Sequence, residues 1–121
     1  MRASRDPYEQ EWQAVCRADD LEVGRGVAAL VHGQAIAIFR THDDSIYALG
    51  NHDPFSRASV LARGIVGERA GIPIVGSPRH RHAFDLRSGQ CLGVHHASVP
   101  AYDVKVVDGV VLVGGRRRAV A

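Results

Sequence analysis

Apolar and polar positions alternate along most of this chain in short runs, and nearly every run ends at a glycine or a polar turn cluster. Trp12, Ala14 and Cys16 share one face of a strand predicted over 12–16, since side chains two apart on extended backbone point the same way. Asp19-Asp20-Leu21-Glu22-Val23-Gly24 reads as a turn with a single helical turn capped by Asp19. The runs 26–31 and 34–40 flank His32-Gly33, the layout of a β-hairpin. A polar cluster at 41–45 and a short strand over 46–49 extend it to a three-stranded meander. Gly50 to Ser56 breaks the pattern, because Pro54 has no N–H and Asn51 and Asp53 favour loops. Residues 57–63 hold at most one helical turn.

The second half continues in the same manner. A strand from Gly64 runs into the turn at Gly71, and 72–75 follows as a strand with Pro73 at an edge or start. Residues 83–86 pair across 87–90 with Cys91-Leu92, and 93–100 is irregular. Tyr102, Val104 and Val106 share a face of the strand over 101–107, Asp108-Gly109 is the strongest hairpin turn signal, and 110–113 returns. Nine or ten short strands at regular spacing specify an all-β sandwich or barrel of short antiparallel strands. No helix is long enough for an α/β fold, and no internal repeat is visible.

Composition narrows the function classes. The 121 residues suit one domain, read as a flexible lead-in over 1–10, a β-domain over 11–114 and a basic tail over 115–121. A net charge of +2, with the one basic run at Arg116-Arg117-Arg118 in that tail, argues against a nucleic-acid partner. No apolar run approaches the roughly 20 residues of a membrane span, and no apolar segment follows the charged N-terminus as a signal peptide requires. Cys16 and Cys91 lie far apart and form no CxxC pair, which fits reduced, structural thiols in a cytoplasmic protein.

The chemistry concentrates in two loops. Asn51-His52-Asp53-Pro54-Phe55-Ser56 opens the region, and Ser77-Pro78-Arg79-His80 with Phe84-Asp85-Leu86-Arg87-Ser88-Gly89 closes it. After a β-meander, this order resembles the Rieske-type ferredoxin domain, whose [2Fe-2S] cluster is held by a Cys-x-His loop and a Cys-x-x-His loop, with two histidines on one iron. Here the first loop reads Asn51-His52-Asp53 and the second opens with Ser77. Of the four ligand positions only His80 keeps its type, so the cluster-binding loops are degenerate and no iron–sulfur cluster is expected.

A more specific resemblance is to the small subunits of assimilatory NAD(P)H-dependent nitrite reductase, Rieske-like in fold and without the cluster ligands. It rests on Asn51-His52-Asp53-Pro54-Phe55-Ser56, Val60-Leu61-Ala62-Arg63-Gly64-Ile65-Val66-Gly67, Ser77-Pro78 and Phe84-Asp85-Leu86-Arg87-Ser88-Gly89-Gln90-Cys91-Leu92 in that order. The resemblance implies an oxidoreductase accessory chain of nitrate and nitrite assimilation, with no catalytic residue and no cofactor of its own. It implies a large subunit as partner, carrying FAD, siroheme and a [4Fe-4S] cluster and reducing nitrite to ammonium.

Beside that resemblance the residues allow two readings at each place. Asn51, Asp53, Ser77 and His80 either hydrogen-bond the two loops together or are solvated loop residues. Phe55 is a partner anchor or a plug filling the space of a cluster. Arg57, Arg63, Arg79 and Arg81 form a basic rim for docking an acidic partner surface, with Phe55, or are solvated charge. The alternative function is a small mononuclear-metal protein using His80, His82 and Asp53, or His52 in place of the aspartate, in a two-histidine, one-carboxylate arrangement. His32 and His42 read as turn residues, and His95-His96 add candidates without geometry.

Overall fold

The computed structural model describes residues 11–78 and 82–117. It holds eleven strands: β1 (Gln13–Arg17), β2 (Gly26–Val31), β3 (Gln34–Arg40), β4 (Ile46–Gly50), β5 (His52–Asp53), β6 (Ala58–Ser59), β7 (Ile65–Arg69), β8 (Ile72–Gly76), β9 (Ala83–Asp85), β10 (Ala101–Val107) and β11 (Val110–Arg116). The only helical pieces among the described residues are two 3-10 turns, Ala18–Asp20 and Leu61–Arg63.

Six strands form one antiparallel sheet in the order β1-β11-β10-β4-β3-β2, which curls so that its two edge strands approach each other. A side chain bridges that gap: Gln13 Nε2 donates to the Leu30 carbonyl (3.1 Å) and Gln13 Oε1 accepts from the His32 N–H (3.1 Å). β7, β8 and β9 make a second sheet of three strands, and β5 pairs with β6 as a small ribbon. The hairpins at His32-Gly33, Ala70-Gly71 and Asp108-Gly109 all carry positive φ at both central residues. That is the turn geometry whose twist matches flanking strands.

β3 shows how the two layers share one strand. Ile36 and Ile38 point into the curled six-stranded sheet with Val31, Ala48, Val111 and Val113. Ala37 and Phe39, on the opposite face, pack with Leu61, Val75, Phe84 and Leu86 beneath the three-stranded sheet. All four β3 residues are fully buried, which explains its unbroken apolar run. Burying a side chain of this size stabilises by about 1.5–3 kcal/mol.

Two local expectations are corrected. A bulge between Ala14 and Cys16 interrupts β1, so Val15 and Cys16 both pack on the core while Ala14 is exposed; an inserted residue breaks the two-residue period. A second register shift lies between Tyr102 and Val104 in β10, yet both pack on that same core and Val106 stays opposite buried Val111, so the predicted face holds, with Val106 exposed toward the strand's end. The first 3-10 turn has Arg17, not Asp19, at its N-cap, and no side chain caps it. Pro73 does sit at the start of β8, ahead of the stretch that pairs with β9.

Candidate functional site

The first loop leaves the six-stranded sheet at the end of β4 and is fixed at its base by Asn51. The Asn51 N–H donates to the Ala35 carbonyl (3.0 Å), and its carbonyl accepts from the Leu61 N–H (3.1 Å). Its side-chain Oδ1 accepts from the Ala62 N–H (2.7 Å), and Nδ2 reaches the Ser59 carbonyl (3.4 Å). Asn51 therefore stitches the loop to the second 3-10 turn and does not face the second loop.

Asp53, on β5, is fully buried. Its Oδ1 accepts from the Phe55 N–H (2.9 Å), the local turn aspartates favour. Its Oδ2 accepts from the Ser56 hydroxyl (3.0 Å) and from the Ser77 hydroxyl (2.5 Å). Burial alone would push this carboxyl up, but the bonds from Ser77, Phe55 and Ser56 outweigh it and hold the group below its ordinary value. Ser77 is buried as well, and its N–H donates to the His82 carbonyl (2.8 Å), closing the second loop.

Phe55 caps this pair. Its ring lies 3.6 Å from that of His82 at an interplanar angle of 7°, a parallel stack. It also meets Phe84 at 6.1 Å and 51°, and it packs against the buried cluster under the small sheet. Of the two readings of Phe55, the geometry is that of a plug. Arg57 follows with φ 58°, exposed, its N–H donating to the Asp53 carbonyl (2.8 Å). Arg63 is exposed on the second 3-10 turn. Arg79, His80 and Arg81 lie outside the described residues.

Neighbouring contacts hold the frame. Asp85 is buried and receives Arg87 through its backbone N–H (2.8 Å) and two guanidinium bonds (3.1 and 2.9 Å). Burial again opposes, and Arg87 prevails, so the Asp85 carboxyl sits below its ordinary value. Gln90 is a feature that sequence reading missed. Its Nε2 lies 3.0–3.3 Å from the carbonyls of Cys91, Val94, His95 and Ala97, gathering the irregular stretch before β10 around one amide. Burial pushes both thiols up, Cys91 and Cys16 alike, which disfavours the reactive thiolate. The Phe55–His82 stack was also unforeseen, since nothing in the spacing of two aromatic rings 27 positions apart announces that they meet.

The donor set decides what these loops can hold. At three of the four positions that the Rieske resemblance assigns to ligands stand an amide, a carboxylate and a hydroxyl. The carboxylate and hydroxyl bond each other, and the amide is spent on backbone groups. A [2Fe-2S] core needs thiolates on at least one iron, so the residues present do not fit it. Among the described residues no three His, Cys, Asp or Glu side chains converge as a metal site. Of the three proposed mononuclear ligands, Asp53 accepts the hydrogen bonds described, the His82 ring stacks on Phe55, and His80 lies outside the described residues.

Residues 11–114 match the family described as the Rieske-like [2Fe-2S] domain. The nitrite reductase (NADH) small subunit of Salmonella typhimurium is 44% identical over 106 residues, covering 87% of this chain and 98% of that protein. The solution structure of the nitrite reductase [NAD(P)H] small subunit from Erwinia carotovora is 45% identical, covers 91% of this chain and 85% of its own, and superposes with a TM-score of 0.74. A stretch of the Klebsiella oxytoca nitrite reductase [NAD(P)H] large subunit is 43% identical over 107 residues, spanning 88% of this chain but 11% of that protein.

Proposed function

Because the chain belongs to the nitrite reductase small subunits within the Rieske-like domain family, we propose that it is the non-catalytic small subunit of a cytoplasmic, assimilatory nitrite reductase. It binds a large subunit that carries FAD, siroheme and a [4Fe-4S] cluster, and it supports nitrite reduction to ammonium by NAD(P)H. The observation that carries the non-catalytic part is the Asp53–Ser77 hydrogen bond. A carboxylate and a hydroxyl, bonded to each other and buried, stand where the Rieske resemblance expects redox ligands. The contribution to the enzyme is then one of surface and shape. Relatives named for NADH, a cytosolic reductant, favour the compartment. The relative whose large subunit contains a stretch like this chain favours direct association of the two parts.

The test combines the purified large subunit with and without this chain and follows NAD(P)H-dependent ammonium formation, alongside an optical spectrum and iron analysis of the chain alone. The expected result is a colourless chain that copurifies with the large subunit and raises its activity. Visible absorbance with stoichiometric iron would overturn the cofactor-free reading, and full activity without the chain would overturn the supporting role.

A further inference from the structure

The two ends of the six-stranded sheet differ in charge. At one end lie the turns after β1, between β3 and β4, and between β10 and β11. They are tied by the Ala18 N–H to the Gly109 carbonyl (2.8 Å) and the Gly24 N–H to the Arg40 carbonyl (2.7 Å). This end exposes six carboxylates: Asp19, Asp20, Glu22, Asp43, Asp44 and Asp108. Two of the arginines there, Arg25 and Arg40, are paired with Glu22 and Asp44.

The opposite end carries the site loops. In the described segments 51–67 and 82–100 both carboxylates, Asp53 and Asp85, are buried. Every exposed ionisable side chain in them is arginine or histidine: His52, Arg57, Arg63, Arg87, His95 and His96. Outside these segments, Glu68 and Arg69 are exposed at the end of β7, Glu11 precedes β1, and Asp103 pairs with Arg117.

The strand directions add a second, independent observation. β1 begins at Gln13, which bonds the β2–β3 hairpin beside Leu30 and His32. β11 ends at Arg116 opposite Tyr102, and the Arg117 guanidinium reaches the Arg87 carbonyl (3.0 Å). Both outer ends of the fold therefore emerge at the cationic end.

Resting on the small-subunit reading, we propose that the cationic loop end, with Arg57 and Arg63 at its exposed rim, seats on an acidic surface of the nitrite reductase large subunit. The carboxylate-rich end then faces away. Complementary charge steers encounter and fixes orientation, and Arg is favoured where charge must be desolvated at an interface. Phe55, stacked within the fold, acts by rigidifying the rim and not as an inserted anchor.

The test measures binding of the purified chain to the purified large subunit by titration calorimetry. Three proteins are compared: the unaltered chain, the double variant Arg57→Glu/Arg63→Glu, and Asp19→Lys/Asp20→Lys from the opposite end. All four replaced side chains are exposed, and a thermal melt verifies that each variant is folded. The loop-end reversal is expected to weaken Kd about tenfold or more, and higher salt to weaken the unaltered pair. The opposite-end reversal should leave Kd unchanged. Equal affinity of the loop-end variant and the unaltered chain, or a greater loss from Asp19→Lys/Asp20→Lys, overturns the orientation while leaving the subunit reading intact. Absence of binding by the unaltered chain overturns both.

Discussion

The hydroxyl of Ser77 donates to the carboxylate of Asp53 across a sequence separation of 24 residues, at 2.5 Å and out of contact with water. The bond thus stands between two loops that in a cluster-bearing relative of this fold would be joined through metal.

Replacing Ser77 with Ala removes the donor and leaves Asp53 with the Phe55 N–H and the Ser56 hydroxyl. Hydrogen bonds to a charged group contribute about 1.5–3 kcal/mol, and Ser77→Ala is expected to lower unfolding stability by that amount at neutral pH. Urea titration measures it. Hydrogen exchange should accelerate most at the Ser77 and Phe55 amides, and uniform acceleration across β2 and β3 would instead indicate a global effect.

The same pair sets an acid dependence. The Asp53 carboxyl is held below its ordinary value of 3.8, and so is Asp85. A depressed carboxyl contributes stability that is complete above its unfolded value and disappears as pH falls through the folded one. The contribution of these two carboxyls should therefore be flat from about pH 8 to about pH 5 and decline below about pH 4. The penalty of Ser77→Ala should shrink over that acid range, because a protonated Asp53 accepts the Ser77 hydrogen bond less strongly. Chemical denaturation of both proteins at pH 7 and pH 3 checks the sign, and a penalty that grows in acid would contradict it.

Phe55 supplies a spectroscopic handle. With its ring 3.6 Å from that of His82, the His82 ring protons should be shifted upfield in the NMR spectrum. Phe55→Leu keeps apolar bulk and should move those resonances toward ordinary positions while costing about 0.5–1.5 kcal/mol. Phe55→Ala should cost about 1–3 kcal/mol, less than a fully buried phenylalanine, since the ring is half-buried. Unmoved His82 resonances in either variant would refute the stack.

Gly89 is the position most sensitive to a single added methyl. Its φ is +81°, and a Cβ there would lie 1.9 Å from the Val99 carbonyl oxygen, which also accepts no slack because the Val99 N–H donates back to the Gly89 carbonyl (2.9 Å). Gly89→Ala combines backbone strain with overpacking and should cost about 2–4 kcal/mol. Gly33→Ala, also at positive φ but with open space around it, should cost about 1 kcal/mol. Thermal melts of the two variants give the comparison.

The hairpins were legible because their chemistry is local. His32-Gly33 and Asp108-Gly109 demand left-handed backbone, and the strands beside them carry continuous or alternating apolar runs. The face of β1 was not, since a bulge shifts the period without leaving a mark in residue type. In the loops, the resemblance assigned Asn51, Asp53 and Ser77 to ligand positions but did not say how they divide. Asp53 and Ser77 bond each other, and Asn51 turns to Ser59 and Ala62. Which partner an amide chooses depends on backbone brought near by the fold, and that information is long-range.

Gln13 closes the six-stranded sheet with a side chain where a continuous barrel would use a ladder of backbone bonds. One glutamine is a weaker rivet than a strand pair, so spontaneous opening should start between β1 and β2 and bare two rows of unsatisfied peptide groups. Beside that seam Leu30 already stands 70% exposed, and an unzipped edge next to an apolar side chain is a template on which a second copy can add strands. The durability of this protein in storage is therefore set at its weakest stitch, far from the loops that give it a role.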